Sequence, residues 1–168
     1  MNTNLNNSPL KLVTQQTTNN TTSWVGHNKD RDISKGQTFI ATNDGELQTI
    51  EVFSNIVFHP GKVTITVYNF DPQQKKWGTS LGCANVDFKK TDIGKWIAFN
   101  IPSLHLDKGK FYGFILESHE CYMGVGEAAG SFKNPPFTEG QEWHFTNNND
   151  KGDSFSYFSL AFKIGLTA

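Results

Sequence analysis

Alternation is the dominant pattern, and it is cleanest in Lys62-Val63-Thr64-Ile65-Thr66-Val67-Tyr68. Val63, Ile65 and Val67 fall on one side, with Lys62, Thr64, Thr66 and Tyr68 on the other. Successive strand side chains point to opposite faces, so this predicts a strand with one buried face and one wetter face. Turn residues mark both ends: His59-Pro60-Gly61 before it and Asn69-Phe70-Asp71-Pro72 after. The same reading along the chain predicts further strands. Gly36–Thr42 is closed by the Asp44-Gly45 hairpin signal, and Glu46–Ser54 follows, with Leu47, Thr49, Glu51 and Phe53 opposite Gln48, Ile50, Val52 and Ser54. Trp77–Phe88 is bent or broken at Gly78 and Gly82. Lys95–Ile101 ends at Pro102, and Lys110–Ser118 is apolar on both faces, as a covered central strand would be. Cys121–Gly126, Gln141–Phe145 and Tyr157–Ile164 complete the set, with polar loops at 130–140 and 147–153. No stretch has a helical period beyond one turn near Asp92–Lys95. About nine strands at intervals of roughly 8–12 residues predict an all-β fold, an antiparallel β-sandwich of jelly-roll type.

Residues 1–23 stand apart from this pattern. Sixteen of them are Asn, Thr, Gln or Ser, and Lys11 is the only charged side chain. So little apolar surface predicts a flexible arm, with the globular domain spanning 24–168. An arm of this kind gains order by binding, so it is also the candidate contact for a homo-oligomer or larger assembly. Its Asn-x-Ser/Thr triplets, such as Asn19-Asn20-Thr21, are explained by composition alone.

Charge narrows the partners. Fifteen basic residues face 16 acidic ones, scattered along the chain, which argues against a nucleic-acid partner. No apolar run is long enough to span a bilayer, and the N-terminus has neither the basic nor the apolar region of a secretory signal. The expectation is a chain made in the cytoplasm, released as part of a particle, or secreted behind a leader not in this sequence. Cys83 and Cys121 are then expected as reduced, packed thiols.

The order of landmarks resembles a group of bacterial and phage jelly-roll modules. The matching residues are Gly36-Gln37-Thr38-Phe39, Leu47 with Ile50, Pro60-Gly61-Lys62-Val63-Thr64, Gly78 through Leu81-Gly82, Trp96 with Phe99, and Leu106 with Gly109 and Tyr112. They span roughly residues 36–118, and most are core or turn positions. The resemblance implies a non-catalytic module that recognises a glycan or a partner surface. Its alternative implication is a structural subunit (decoration, fibre or baseplate type) of a phage or phage-like contractile injection particle, with residues 1–23 gripping neighbours.

The chemistry-bearing candidates are few. Glycans are held by flat aromatic faces with amides, carboxylates or imidazoles beside them. Trp143 and His144, followed by Asn147 and Asn149, offer that combination, and Tyr122 and Trp77 are candidates to join it. The competing reading makes Trp143 and Phe145 core residues alternating with exposed Glu142 and His144. Asn147, Asn149, Asp150 and Asp153 also carry the oxygens of a calcium loop around Gly152, although Lys151 stands where a ligand belongs. A solvated turn competes with that structural calcium, and no other cofactor is indicated. The five histidines lack metal-ligand spacing, and His119-Glu120-Cys121 reads as a turn, so no catalytic residue is assigned.

Overall fold

The computed structural model describes residues 9–168, and every strand pairing in it is antiparallel. Among the described residues there are thirteen strands. In order they are β1 (Lys11–Gln16), β2 (Thr21–Asn28), β3 (Arg31–Ile40), β4 (Gly45–His59), β5 (Gly61–Asp71), β6 (Lys76–Phe88) and β7 (Lys95–Leu106). After these come β8 (Phe111–Glu117), β9 (Tyr122–Ala129), β10 (Glu142–Thr146), β11 (Asn149–Phe155), β12 (Phe158–Leu160) and β13 (Phe162–Thr167). One 3₁₀ turn, Lys90–Asp92, joins β6 to β7. The hydrogen-bonded path runs β1-β13-β4-β9-β2-β3-β8-β5-β6, with β7 added to β4, β12 to β9, and β10 with β11 to the stretch of β3 beyond its short pairing with β2. This curled sheet folds over to make a β-sandwich.

The inward faces meet in aromatic pairs that bridge the layers. Phe114 on β8 lies 5.8 Å from Phe162 on β13, and Phe88 on β6 lies 6.1 Å from Phe99 on β7, centroid to centroid. Val63, Ile65 and Val67 are fully buried among them, on the face that alternation assigns inward. Strand β8 sits between β3 and β5, which accounts for its two apolar faces.

The structure differs from the sequence expectation at three places on the strands. Leu47 is buried together with Ile50 and Val52, because the β4–β7 register shifts between Leu47 and Thr49; a bulge switches the inward parity. Pro102 does not end its strand: β7 continues to Leu106, and the proline occupies the stretch of β7 opposite that bulge, where no ladder bond is asked of it. The segment 147–153 is a tight turn entering β11 rather than a loop, which raises the strand count above nine together with β1, β2 and the division of Tyr157–Ile164 into β12 and β13.

The arm boundary at Trp24 is likewise not where the chain changes character. Lys11–Gln16 pairs with β13, and Thr21–Gly26 pairs with β9. Thr14 and Gln16 are buried, and the Gln16 amide donates to the carbonyls of Leu160 at 3.2 Å and Thr18 at 3.0 Å. A polar strand can close a sheet edge when its amides are used this way, an option that apolar content does not register. Residues 1–8 of the expected arm lie outside the described residues. Both cysteines are free thiols; Cys121 is buried, and burial pushes it up to about 11, while Cys83 is exposed.

Candidate functional site

Strand β10 pairs with β3 so that Trp143 stands opposite Gly36 and Phe145 opposite Ser34. These side chains lie on the outer face of the sheet. There the Trp77 indole packs against Trp143 and Phe145, each 5.8 Å away, and against Phe70 at 5.4 Å and Tyr68 at 5.7 Å. Trp77 reaches this position because the strands beneath it carry glycine. A Cβ on Gly113 would come within 2.5 Å of the indole, and one on Gly36 within 3.1 Å. The result is a second, small aromatic core outside the main one. Trp143 is 5% exposed, so its faces are taken up by neighbours and are not available to stack on a ligand.

The rim of this aromatic cluster opens into a cleft of about 860 Å³. Trp77, Tyr68, Ile115 and Phe145 supply the apolar part. Asp32, Glu117, His119, Asn147 and Asp150 line it with acceptors, and Lys75, Lys76 and Lys151 with cationic donors. The turns that present these groups are pinned by their own side chains. Ser118 Oγ accepts from the Glu120 and Cys121 amides and donates to the Lys62 carbonyl at 2.6 Å, which fixes the turn holding His119. Asn147 Oδ1 accepts from the Asp32 amide at 2.6 Å, joining the β10–β11 turn to β3. The Asp32 carboxylate lies 2.6 Å from His27 Nδ1 and 3.2 Å from His119 Nδ1. The His27 hydrogen bond, with His119 assisting, holds this carboxyl below its ordinary range.

Across the same turn lies a second cleft of about 800 Å³, and Thr146 and Asn147 line both. Asn28, Asp30, Arg31, Asn148 and Tyr122 are among the other residues that line it. Tyr122 is stacked on Trp24 at 4.8 Å and meets Phe58 edge-on at 6.1 Å. Phe58 is 54% exposed, so this aromatic group continues onto the open surface.

The residues expected from sequence are therefore divided. Trp77 and Trp143 are together, Tyr122 stands in the other cleft, and Asn147 stands between the two clefts. Asn149 is tied to its own turn, donating to Asp153 Oδ2 at 2.9 Å and accepting from the Gly152 amide at 3.1 Å. Asn147 Oδ1 is engaged by the Asp32 amide, and Asn147 and Asp150 both line the first cleft. Asp32, His27 and His119 are the functional candidates that sequence spacing missed. They come from two turns far apart in the chain, so no local motif carries them.

His144 faces the other way, into the sandwich, with Glu142 beside it. Glu142 is 0% exposed, against the expectation that it would alternate outward. Burial pushes the Glu127 carboxyl up to about 8, and the neighbouring Glu142 adds to the rise. Burial raises Glu142 as well, and it drives His144 down to about 4, with the Lys35 charge contributing.

The fold and clefts define the class as an all-β, antiparallel sandwich with two surface clefts divided by one turn. Among solved structures the chain is similar to the clostridial cysteine protease Cwp84 after propeptide cleavage, with 12% identity and a TM-score of 0.57; the match covers 95% of this chain and 40% of that one. A structure of the cysteine protease and lectin-like domains of Cwp84, a surface layer associated protein of Clostridium difficile, aligns at 11% identity over 84% of this chain and 37% of that one, with a TM-score of 0.49. At this identity the likeness establishes the fold alone. No protein-family model matches the sequence, and no curated protein matches it in sequence. Among the described residues, no helix is long and apolar enough to cross a membrane.

Proposed function

We propose that the protein is a non-catalytic binding module that holds a glycan across the two clefts on either side of Asn147. One observation carries this reading: a single amide-bearing turn separates two aromatic-walled clefts, one with Trp77 and Tyr68 and the other with Tyr122. Sugar rings need apolar faces to stack on and fixed donors and acceptors at their hydroxyls. Tyr122, backed by Trp24, is a pre-oriented platform, and Asn147, Asn148, Asp30 and Arg31 stand beside it. Fold likeness alone does not fix a ligand, so the reading rests on the clefts themselves.

The test is a broad glycan screen followed by titration calorimetry on the best ligand. Tyr122→Ala and Asn148→Ala are expected to weaken binding by tenfold or more, on the basis of about 1.4 kcal/mol lost per tenfold. Asn148→Ala should leave the melting temperature unchanged, and Tyr122→Ala should lower it only by its loss of contact with Trp24 and Phe58. A screen with no bound glycan, or binding unchanged in both variants, removes the reading and leaves a protein surface as the partner to seek. The assembly reading keeps less material, because Lys11–Gln16 and Thr21–Asn28 are strands of the sandwich itself.

A further inference from the structure

We propose that Glu127, Glu142 and His144 form an interior site for a divalent transition-metal ion, zinc by preference, which ties β9 to β10. One donor atom from each of the three residues lies within 4.8 Å of the others. His144 Nε2 and Glu142 Oε2 are 3.4 Å apart. A tetrahedral zinc with ligands at about 2.0–2.1 Å has neighbouring donors about 3.3–3.4 Å apart, so this pair already stands at the length of a coordination edge.

The second observation concerns what these atoms lack. Glu142 is fully buried, yet neither of its carboxylate oxygens has a hydrogen bond of ordinary length and angle; its polar neighbours are Glu127 and Ser23, and His144 Nε2 is likewise without a well-formed partner. Buried polar atoms are nearly always satisfied, so orphaned acceptors that converge on one place call for a partner. Neighbouring polar groups show how this interior meets the requirement elsewhere: Gln37 Oε1 accepts from the Leu160 amide at 2.9 Å and from Ser159 Oγ at 3.3 Å. Among the described residues, no lysine or arginine nitrogen lies within 4.0 Å of a Glu127 or Glu142 oxygen, and the Lys35 charge acts on both only from farther away. A cation bound by both carboxylates and the imidazole supplies the missing charge and directional bonds in one step.

The donor set selects the class of ion. Calcium takes six to eight oxygens and magnesium near-octahedral oxygen, so one imidazole with two carboxylates fits neither. Zinc accepts this nitrogen–oxygen mixture. Glu127 comes from β9 and Glu142 and His144 from β10, strands that are not hydrogen-bonded to each other. A shared ion is then a cross-link between separate parts of the sheet. His144, whose side chain is 26% exposed, is the side from which an ion enters.

The test uses the full chain, stripped with a chelator and titrated with zinc, reading stoichiometry by calorimetry and the melting temperature in parallel. One zinc per chain and a raised melting temperature are expected. Glu142→Gln and His144→Gln should each weaken zinc binding by about tenfold or more. Both replacements keep the side-chain volume, and near-UV circular dichroism of the metal-free proteins checks that they fold. Cobalt provides a second readout at the less buried position: its visible bands in wild type should shift or vanish in His144→Gln. The surface group Asp44, His105 and Asp107 is the internal control, through His105→Ala. Failure to bind one zinc, binding that survives both interior substitutions, or binding lost only in His105→Ala overturns the assignment. None of these outcomes depends on whether a glycan binds.

Discussion

The Trp77 indole lies directly over Gly113, close enough that a methyl group there would sit 2.5 Å from the ring. Gly113 is on the central strand β8, flanked by β3 and β5, so the backbone beneath has little freedom to retreat. Gly113→Ala is therefore expected to push the indole off the sheet, at a cost of about 1–3 kcal/mol for overpacking. Urea unfolding measures the loss, and a red-shifted, more quenchable tryptophan emission reports the displaced ring. An unchanged midpoint would mean that the aromatic cluster is not packed on this glycine.

That contact also shows what the sequence could and could not reveal. Strand identity was legible wherever one face is apolar, as at Val63, Ile65 and Val67, because the period of two is written directly in the residue types. It was not legible in Lys11–Gln16, where burial falls on Thr14 and Gln16 and the strand is held by its amides. The pattern at β10 was misleading for a different reason. Apolar Trp143 and Phe145 point outward, under a satellite cluster completed by Trp77 from β6, while charged Glu142 points inward. Which face of a strand is covered depends on partners distant in the chain, and alternation alone does not name the face. Asp32 and His119 meet 87 residues apart for the same reason.

Trp143 and Tyr122 should separate stability from binding. Trp143 is enclosed by Trp77, Phe70 and Phe145, and removing a buried indole costs about 3–5 kcal/mol. Trp143→Ala is expected to lower the melting temperature sharply, and any effect on glycan affinity should scale with the unfolded fraction. Tyr122→Ala, at the open cleft, is expected to show the opposite profile. Thermal melts and calorimetry on the same two proteins decide the matter; equal melting temperatures would contradict the buried placement of Trp143.

Asp32 carries a pH signature. Its carboxyl is held below the ordinary range first by the His27 hydrogen bond, then by His119. A depressed folded-state pKa means that the folded protein releases this proton more readily than the unfolded chain does. The stabilisation is thus complete above the ordinary carboxylate range and fades as the pH falls through the folded value. Because the pair is at the surface, the contribution is less than about 1 kcal/mol. His27→Gln is expected to move the Asp32 midpoint upward in a carbon-detected NMR titration. A midpoint that stays in place would assign the shift to His119 instead.

Strand β1 gives the last prediction, and it concerns the N-terminal residues that composition marks as an arm. Gln16 does three things at once. Its amide nitrogen donates to Leu160 and Thr18, and its oxygen accepts from the Thr18 amide at 2.6 Å. Gln16→Ala removes this donor from the buried Leu160 carbonyl, which keeps Ser159 Oγ at 3.0 Å, so the expected loss is that of one hydrogen bond, about 0.5–1.5 kcal/mol. Removing residues 1–17 goes further, because it strips β1 from β13 and leaves the six-residue β13 as an uncovered edge next to Val52, Ile50 and Leu47 of β4. Uncovered edges pair with other chains, so the shortened protein is expected to melt earlier and to aggregate at its transition. Differential scanning calorimetry with light scattering on wild type, Gln16→Ala and the shortened protein orders the three. If the shortened protein matches wild type in both readouts, β1 contributes nothing to the sandwich, and those residues are the free arm that their composition suggests.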